Sequence, residues 1–180
     1  VRALGTFVEQ GLVYRGKKPV HWCIHCRTAL AEAEVEYEAH RSPSIYVEFP
    51  LAETARPALT ELAPALADRA VSVLIWTTTP WTIPSNLAIA FHPELTYGAY
   101  ENTTADGKPG AVILATALTG RVANETGRSL GAALATFRGR DLEHVRFRHP
   151  LYDRDAVAVL ADYVTLEQGT GAVHTAPGHG

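Results

Sequence analysis

The strongest constraint on this chain lies between residues 71 and 86. There the apolar, β-branched run Val71-Ser72-Val73-Leu74-Ile75 passes into Trp76-Thr77-Thr78-Thr79-Pro80-Trp81-Thr82-Ile83-Pro84-Ser85-Asn86. Branching at Cβ suits a pleated, buried surface, so Val71 to Trp76 is expected to be a core strand. Pro80 and Pro84 fix φ and lack an N–H, so the ladder must stop and the chain is expected to run extended past the sheet edge. The hydroxyls of Thr77, Thr78, Thr79 and Thr82, the Trp81 indole and the Asn86 amide are then left at a strand mouth, where they can meet a polar ligand. The same residues also fit a structural corner, because threonine is common in strands and Trp–Pro packing is common at turns.

The 180 residues are 47% apolar and 19% charged, enough for one domain with its own core, and no apolar run reaches the roughly twenty residues that span a bilayer. A net charge of -3 argues against a broad nucleic-acid-binding surface, so any RNA contact is expected to be local. Two cysteines are too few for a secreted disulfide framework and no signal peptide is read, which points to the cytoplasm and to no membrane partner. With no methionine and a start at Val1, the chain is expected to be a piece of a longer protein.

Apolar residues at Leu4, Phe7, Val8, Leu12 and Val13 predict a helix ended by Gly16. Pro19 to Trp22 reads as a short strand leading into Cys23-Ile24-His25-Cys26. Cys23 and Cys26 suit half of a tetrahedral zinc site, and equally a free thiol pair or a disulfide. Thr28 to His40 fits a helix or an edge strand, with an extended arm preferred. Ile45 to Phe49 is a strand, and Leu51 to Arg69 is helical, with Pro57 in a first turn and Pro64 splitting it.

Further strands are expected over Leu87–Phe91, Leu95–Tyr100, Ala111–Leu114, Leu134–Phe137, Val145–Arg148, Ala156–Leu160 and Ala172–Thr175, with a loop at Asp106-Gly107. A helix from Thr116, as N-cap, to Thr126 should be closed by Gly127. The sum is an α+β fold, a twisted, barrel-like, mostly antiparallel sheet with a few covering helices, in which residues 1–40 form a connecting segment and 41–180 the core.

A second stretch, Gly169-Thr170-Gly171-Ala172-Val173-His174-Thr175-Ala176-Pro177-Gly178-His179-Gly180, bears on what the first is for. Together the two strings resemble the editing domain inserted into bacterial isoleucyl-tRNA synthetase. That family pairs Trp-Thr-Thr-Thr-Pro-Trp-Thr, and Asn four residues later, with Gly-Thr-Gly-x-Val-His-x-Ala-Pro-Gly-His-Gly, and both segments occur here without a mismatch. The valyl and leucyl relatives carry Thr-Thr-Arg-Pro in the first segment and lack the His of the second. The resemblance covers essentially the whole chain, including Gly11-Leu12-Val13-Tyr14-Arg15-Gly16 and Thr28-Ala29-Leu30-Ala31-Glu32-Ala33-Glu34-Val35-Glu36-Tyr37.

The resemblance implies hydrolysis of valyl-tRNA(Ile) by attack of water on the aminoacyl ester, with valyl-adenylate left open as a second substrate. The implied partners are the 3′ acceptor end of tRNA(Ile) carrying valine and the remainder of the synthetase chain. Residue by residue, it implies that Thr77, Thr78, Thr79 and Trp81 line the site, that Thr82 and Asn86 support it, and that His174 forms the wall beside the amino-acid side chain, with Thr175 and Ala176 next to it. His179 either joins this wall or only shapes the Gly178-His179-Gly180 turn. On position alone, His174 also fits a buried histidine satisfied by a backbone carbonyl.

Residues 1–40 would connect to the parent's nucleotide-binding domain. The cysteine pair completing a zinc site would lie beyond residue 180, so zinc is expected only in the full-length parent and no cofactor within these residues. An acidic residue to take the substrate's ammonium is implied just past Gly180, because burying that charge unpaired is costly; Asp162 and Glu167 do not match it. Neither His-Ile-Gly-His nor Lys-Met-Ser-Lys-Ser occurs, so ligase chemistry is not expected here, and no Ser-His-Asp or Cys-His nucleophile is readable. A module that docks the tRNA acceptor end without hydrolysing anything is the alternative.

Overall fold

A computed structural model describes residues 1–16, 19–104 and 107–179. The chain forms two compact units, Val1–His40 with the last residues from Gly178, and Arg41–Pro177. The first holds α1 (Arg2–Glu9) and a hairpin of β1 (His21–Cys23) and β2 (Thr28–Leu30). α1 ends earlier than Gly16, because Gly11 takes φ +71 and closes the helix. No residue of α1 is buried. Past β2 the chain makes one 3-10 turn, Glu32–Glu34, and then has no regular structure up to residue 44, in keeping with an extended arm.

The second unit begins with β3 (Ile45–Pro50). Pro57 stands in the first turn of α2 (Arg56–Leu62), and Pro64 opens a separate 3-10 turn, so the two prolines divide this stretch as their missing N–H groups require. β4 (Ala70–Thr77), β5 (Ala88–Phe91), β6 (Thr96–Thr103) and β7 (Pro109–Ala115) follow. Asp106 of the expected loop lies outside the described residues. α3 (Thr119–Thr126) is closed by Gly127 at φ +66 as expected, but Thr116 does not cap it. A 3-10 turn, Thr116–Leu118, precedes the helix, and the Thr116 carbonyl accepts the Thr119 hydroxyl. Then come β8 (Ala133–Arg138), β9 (Arg146–Arg148), β10 (Asp155–Leu160) and β11 (Ala172–Thr175).

These strands make two open sheets, β3-β4-β7-β6-β8 and β11-β5-β10-β9. They meet where Leu51 bridges to Phe147 and the Ala52 N–H donates to the Arg146 carbonyl, and again where the Ala115 N–H donates to the Thr170 carbonyl ahead of β11. The fold is α+β and mostly antiparallel, but β4–β7 and β10–β5 are parallel pairs. The turn after β4 delivers β5 into the other sheet, so the neighbour of β4 is a strand that returns later in the same direction.

One apolar cluster is shared by both sheets and the helices. Phe49, Leu74, Ile89, Phe91, Ile113 and Phe147 are fully buried in it, and Leu59 of α2 and Val122 of α3 close it from the helical side. Burying each such side chain contributes about 1.5–3 kcal/mol. Among the described residues, no helix is long and apolar enough to cross a membrane.

A polar staple sits within this apolar layer. The Tyr97 hydroxyl, wholly buried, donates to the Gly171 carbonyl at 2.7 Å and accepts the His92 N–H at 3.0 Å, and burial pushes its pKa up to about 12. Tyr97→Phe leaves both backbone groups unpaired without opening a cavity. Urea unfolding is expected to show a loss of about 1–3 kcal/mol; no change in the midpoint would mean that water replaces the hydroxyl.

Candidate functional site

The residues singled out at the end of β4 do not run on as an extended chain. Beyond Thr79 the backbone coils into a 3-10 turn, Pro80–Ser85, in which Pro80 takes a first-turn position where no N–H is needed. The Thr82 N–H donates to the Thr79 carbonyl at 3.0 Å and the Asn86 N–H to the Ile83 carbonyl at 2.9 Å, so the prolines end the ladder by starting a turn. In the sheet that the turn leads into, β11 lies antiparallel to β5 with His174 opposite Ile89 and Thr175 opposite Ala88. That pairing brings His174 against the turn, although 92 residues separate it from Thr82.

A network of neutral polar groups results. Thr77 Oγ1 accepts the Thr79 N–H at 3.1 Å and lies 3.2 Å from Thr79 Oγ1, which is 3.5 Å from Thr82 Oγ1. Thr82 Oγ1 lies 2.7 Å from the Thr79 carbonyl and 3.1 Å from His174 Nε2. A carbonyl can only accept, so the single Thr82 proton goes to it, and Nε2 must carry the hydrogen it gives to Thr82. His174 Nδ1 is then an acceptor, and Asn86 Nδ2 stands 3.5 Å from it. The same amide nitrogen donates to the Ala88 carbonyl at 2.8 Å and lies 3.4 Å from the Thr175 carbonyl, an orientation that leaves the buried Asn86 Oδ1 without a protein partner. The Thr175 hydroxyl also donates to the Ala88 carbonyl.

The threonines divide by exposure. Thr77 and Thr82 are buried, whereas Thr78 and Thr79 are exposed; the Thr78 carbonyl accepts the Ser42 hydroxyl at 2.6 Å, which pins the backbone. Trp81 projects with 61% of its surface free, Thr175 is partly buried and Ala176 is buried. His179, exposed, is grouped with the first unit and is not among the residues of this network.

Two residues that the sequence reading passed over touch the turn. His149 Nε2 is 2.8 Å from the Ile83 carbonyl, and Arg154 Nη2 donates to the Pro84 carbonyl at 2.5 Å. No spacing pattern marks either residue; only the fold brings them here.

Residues 1–163 match the family of tRNA synthetases class I (I, L, M and V). The chain belongs to the class I tRNA synthetases. It is 52% identical over 184 residues to an isoleucine–tRNA ligase of Geobacter sulfurreducens and 47% identical over 180 residues to that of Symbiobacterium thermophilum, matching 99% and 100% of this chain. It spans only 18% of the length of each of those ligases. In fold it is similar to the editing domain of the P. knowlesi cytosolic leucyl-tRNA synthetase, with a TM-score of 0.61 at 12% identity over 76% of this chain and 59% of that one. It is also similar to GlLeuRS-CP1, at 0.59 and 19% over 74% and 52%. At such identities the likeness is one of fold.

In this class I chain, Cys23 and Cys26 sit on the β1–β2 hairpin, where the Cys26 N–H donates to Cys23 Sγ at 3.3 Å. Hydrogen bonds from Cys26, first from its backbone, hold the Cys23 thiol below its usual range. Both thiols are of the soft-donor type, and no group of three or more His, Cys, Asp or Glu that could hold a metal ion gathers among the described residues.

The His174 imidazole is held below its ordinary 6.5 by burial and, less, by nearby His149. Its neutral form is therefore the folded form. As pH falls below about 6.5 the unfolded chain takes up this proton first, so the stability that the neutral ring contributes is fully present above that value and is lost toward the lower folded value. Thermal melts from about pH 8 to about pH 5 should show a steeper loss for the parent than for His174→Gln. Parallel profiles would mean that His174 ionises as freely in the fold as in the unfolded chain.

Proposed function

We propose that this chain is the editing domain of an isoleucine–tRNA ligase and that it hydrolyses valine mistakenly esterified to tRNA(Ile), in the cytoplasm. The observation that carries the reading is the neutral hydroxyl–imidazole network that joins the exposed Thr79 through Thr82 to His174, on a chain that matches isoleucine–tRNA ligases over nearly its whole length and has an editing-domain fold.

Valine is isoleucine less one methylene, so a synthetic pocket built for isoleucine cannot exclude it sterically. Burying one CH₂ contributes roughly 0.8 kcal/mol, and shape raises the selection to about 1–3 kcal/mol, a limit for which the isoleucine enzyme is itself the standard example. A second pocket that admits the smaller side chain and hydrolyses what enters adds the missing selectivity.

The hydrogen-bond directions argue against a covalent route. Thr82 Oγ1 lies near an imidazole, but it is buried, gives its proton to the Thr79 carbonyl and receives one from Nε2, the reverse of a nucleophile presented to a base. The ester is already an activated acyl group, so water can attack it directly. In this mechanism the Thr78 and Thr79 hydroxyls orient that water and donate to the developing oxyanion, and His174, held by Thr82 and Asn86, walls the side-chain space. Trp81, exposed beside them, offers a stacking face to the terminal adenosine.

The valine-bearing 3′ end of tRNA(Ile) is the partner, contacted locally as a net charge of -3 requires, and the rest of the synthetase supplies the aminoacylation site. In the full-length parent, Cys23 and Cys26 would hold a structural zinc ion together with ligands from outside these residues, and no hydrolytic step depends on it.

Two experiments on the full-length enzyme test the reading. His174→Ala widens the side-chain space, and deacylation assays should show correctly charged isoleucyl-tRNA being destroyed; if it is spared as in the parent, His174 is not the size gate. Thr79→Ala should lower valyl-tRNA hydrolysis by about 10²-fold while costing only about 1 kcal/mol of stability. Thr77→Ala should show the larger shift in melting temperature, because its oxygen is buried and holds the Thr79 N–H. Melting losses that parallel activity losses in both variants would make the threonines structural only.

A further inference from the structure

The turn that carries Thr82 and Asn86 is held from a second side. His149, 5% exposed, follows β9, and its Nε2 lies 2.8 Å from the Ile83 carbonyl, an acceptor only, so the hydrogen is on Nε2. Its Nδ1 accepts the Leu151 and Tyr152 N–H groups at 3.1 and 3.2 Å. Both ring nitrogens are thus committed, one to the loop after β9 and one to the turn. The ring is further fixed edge-on to Phe49, with centroids 6.0 Å apart, and beside Tyr152 at 5.1 Å.

The carbonyl that His149 holds is a node. Ile83 O also accepts the Asn86 N–H, and Ile83 directly follows Thr82. Thr82 and Asn86 are the residues that stand at the two ring nitrogens of His174. Pro84, next in the chain, has no N–H to add to the turn, so within the turn this carbonyl is held by the Asn86 N–H and His149 supplies a second hold from outside it. We infer that His149 is a positioning residue for size selection: by fixing the Ile83 carbonyl it sets where Thr82 and Asn86 stand, and through them where His174 stands. The inference rests on the editing reading and adds to it a residue that touches no substrate.

The test compares two substitutions in the full-length enzyme. In His149→Gln the amide nitrogen can reach the place of Nε2 and keep the bond to Ile83. In His149→Asn the amide oxygen can replace Nδ1 toward Leu151, but the nitrogen falls short of the turn. Both variants lose the buried ring, so a purely packing role moves them together. The ratio of valyl-tRNA to isoleucyl-tRNA hydrolysis should stay near the parent's in the Gln variant and fall by about tenfold in the Asn variant, as loosening a one-methylene gate requires. A crystal structure of the Asn variant should show the Thr82–His174 contact lengthened from 3.1 Å. Equal ratios in the two variants, with that contact unchanged, overturn the inference. An enzyme that hydrolyses neither ester sinks the functional reading instead, and the crystallographic distance then decides the inference alone.

Discussion

The site exists because β11 pairs with β5. The hydroxyls belong to residues 77–82 and the imidazole to residue 174, and it is the antiparallel ladder from Ala172–Phe91 to Thr175–Ala88 that closes this distance. Closing a long loop costs only slowly more as it lengthens, and here the cost is offset by burial of the strands between. The approach is also set at its start. Gly171 takes φ +75, and a Cβ there would stand 2.4 Å from Ala115 Cβ, so only glycine lets the segment lie against the end of β7. With the Ala115 N–H bonded to the Thr170 carbonyl and Tyr97 bonded to Gly171, β11 enters its sheet at one register.

What assembles there is polar but uncharged. Hydroxyls, a carboxamide and a neutral imidazole can be half-buried at moderate cost when each finds partners, whereas an ion would demand a counter-ion. Such a set is poor at generating a strong nucleophile and well suited to fixing the orientation of water and an ester. A ring that gives its hydrogen to Thr82 and has the Asn86 amide at its other nitrogen is locked in rotation and tautomer, the rigidity that the proposed size-selecting wall would need.

Much of the fold was legible in local pattern. The β-branched run gave away β4, Pro57 and Pro64 divided the helical stretch as expected, and Gly127 ended α3, because each of these rests on the backbone chemistry of a few adjacent residues. The misreadings share a cause. Pro80 and Pro84 remove donors from a ladder, but that fact does not distinguish an extended path from a 3-10 turn; the Ile83 and Pro84 carbonyls, held by His149 and Arg154, belong with the turn. The parallel pairs β4–β7 and β10–β5 were likewise invisible, since pairing direction depends on which sheet a strand joins.

By itself, the sequence determined which residue types stand near one another along the chain: three hydroxyls at a strand end, a histidine within a glycine-rich segment, two thiols with two residues between them. Those are the candidates for chemistry, and their local geometry follows from φ restrictions and Cβ branching. The tertiary structure alone decided that Thr77 and Thr82 turn inward while Thr78 and Thr79 stay open, that His174 carries its hydrogen on Nε2, and that His149 reaches the turn from the loop after β9. Exposure, tautomer and long-range contact depend on groups far apart in the chain, and those meet only once both sheets are packed.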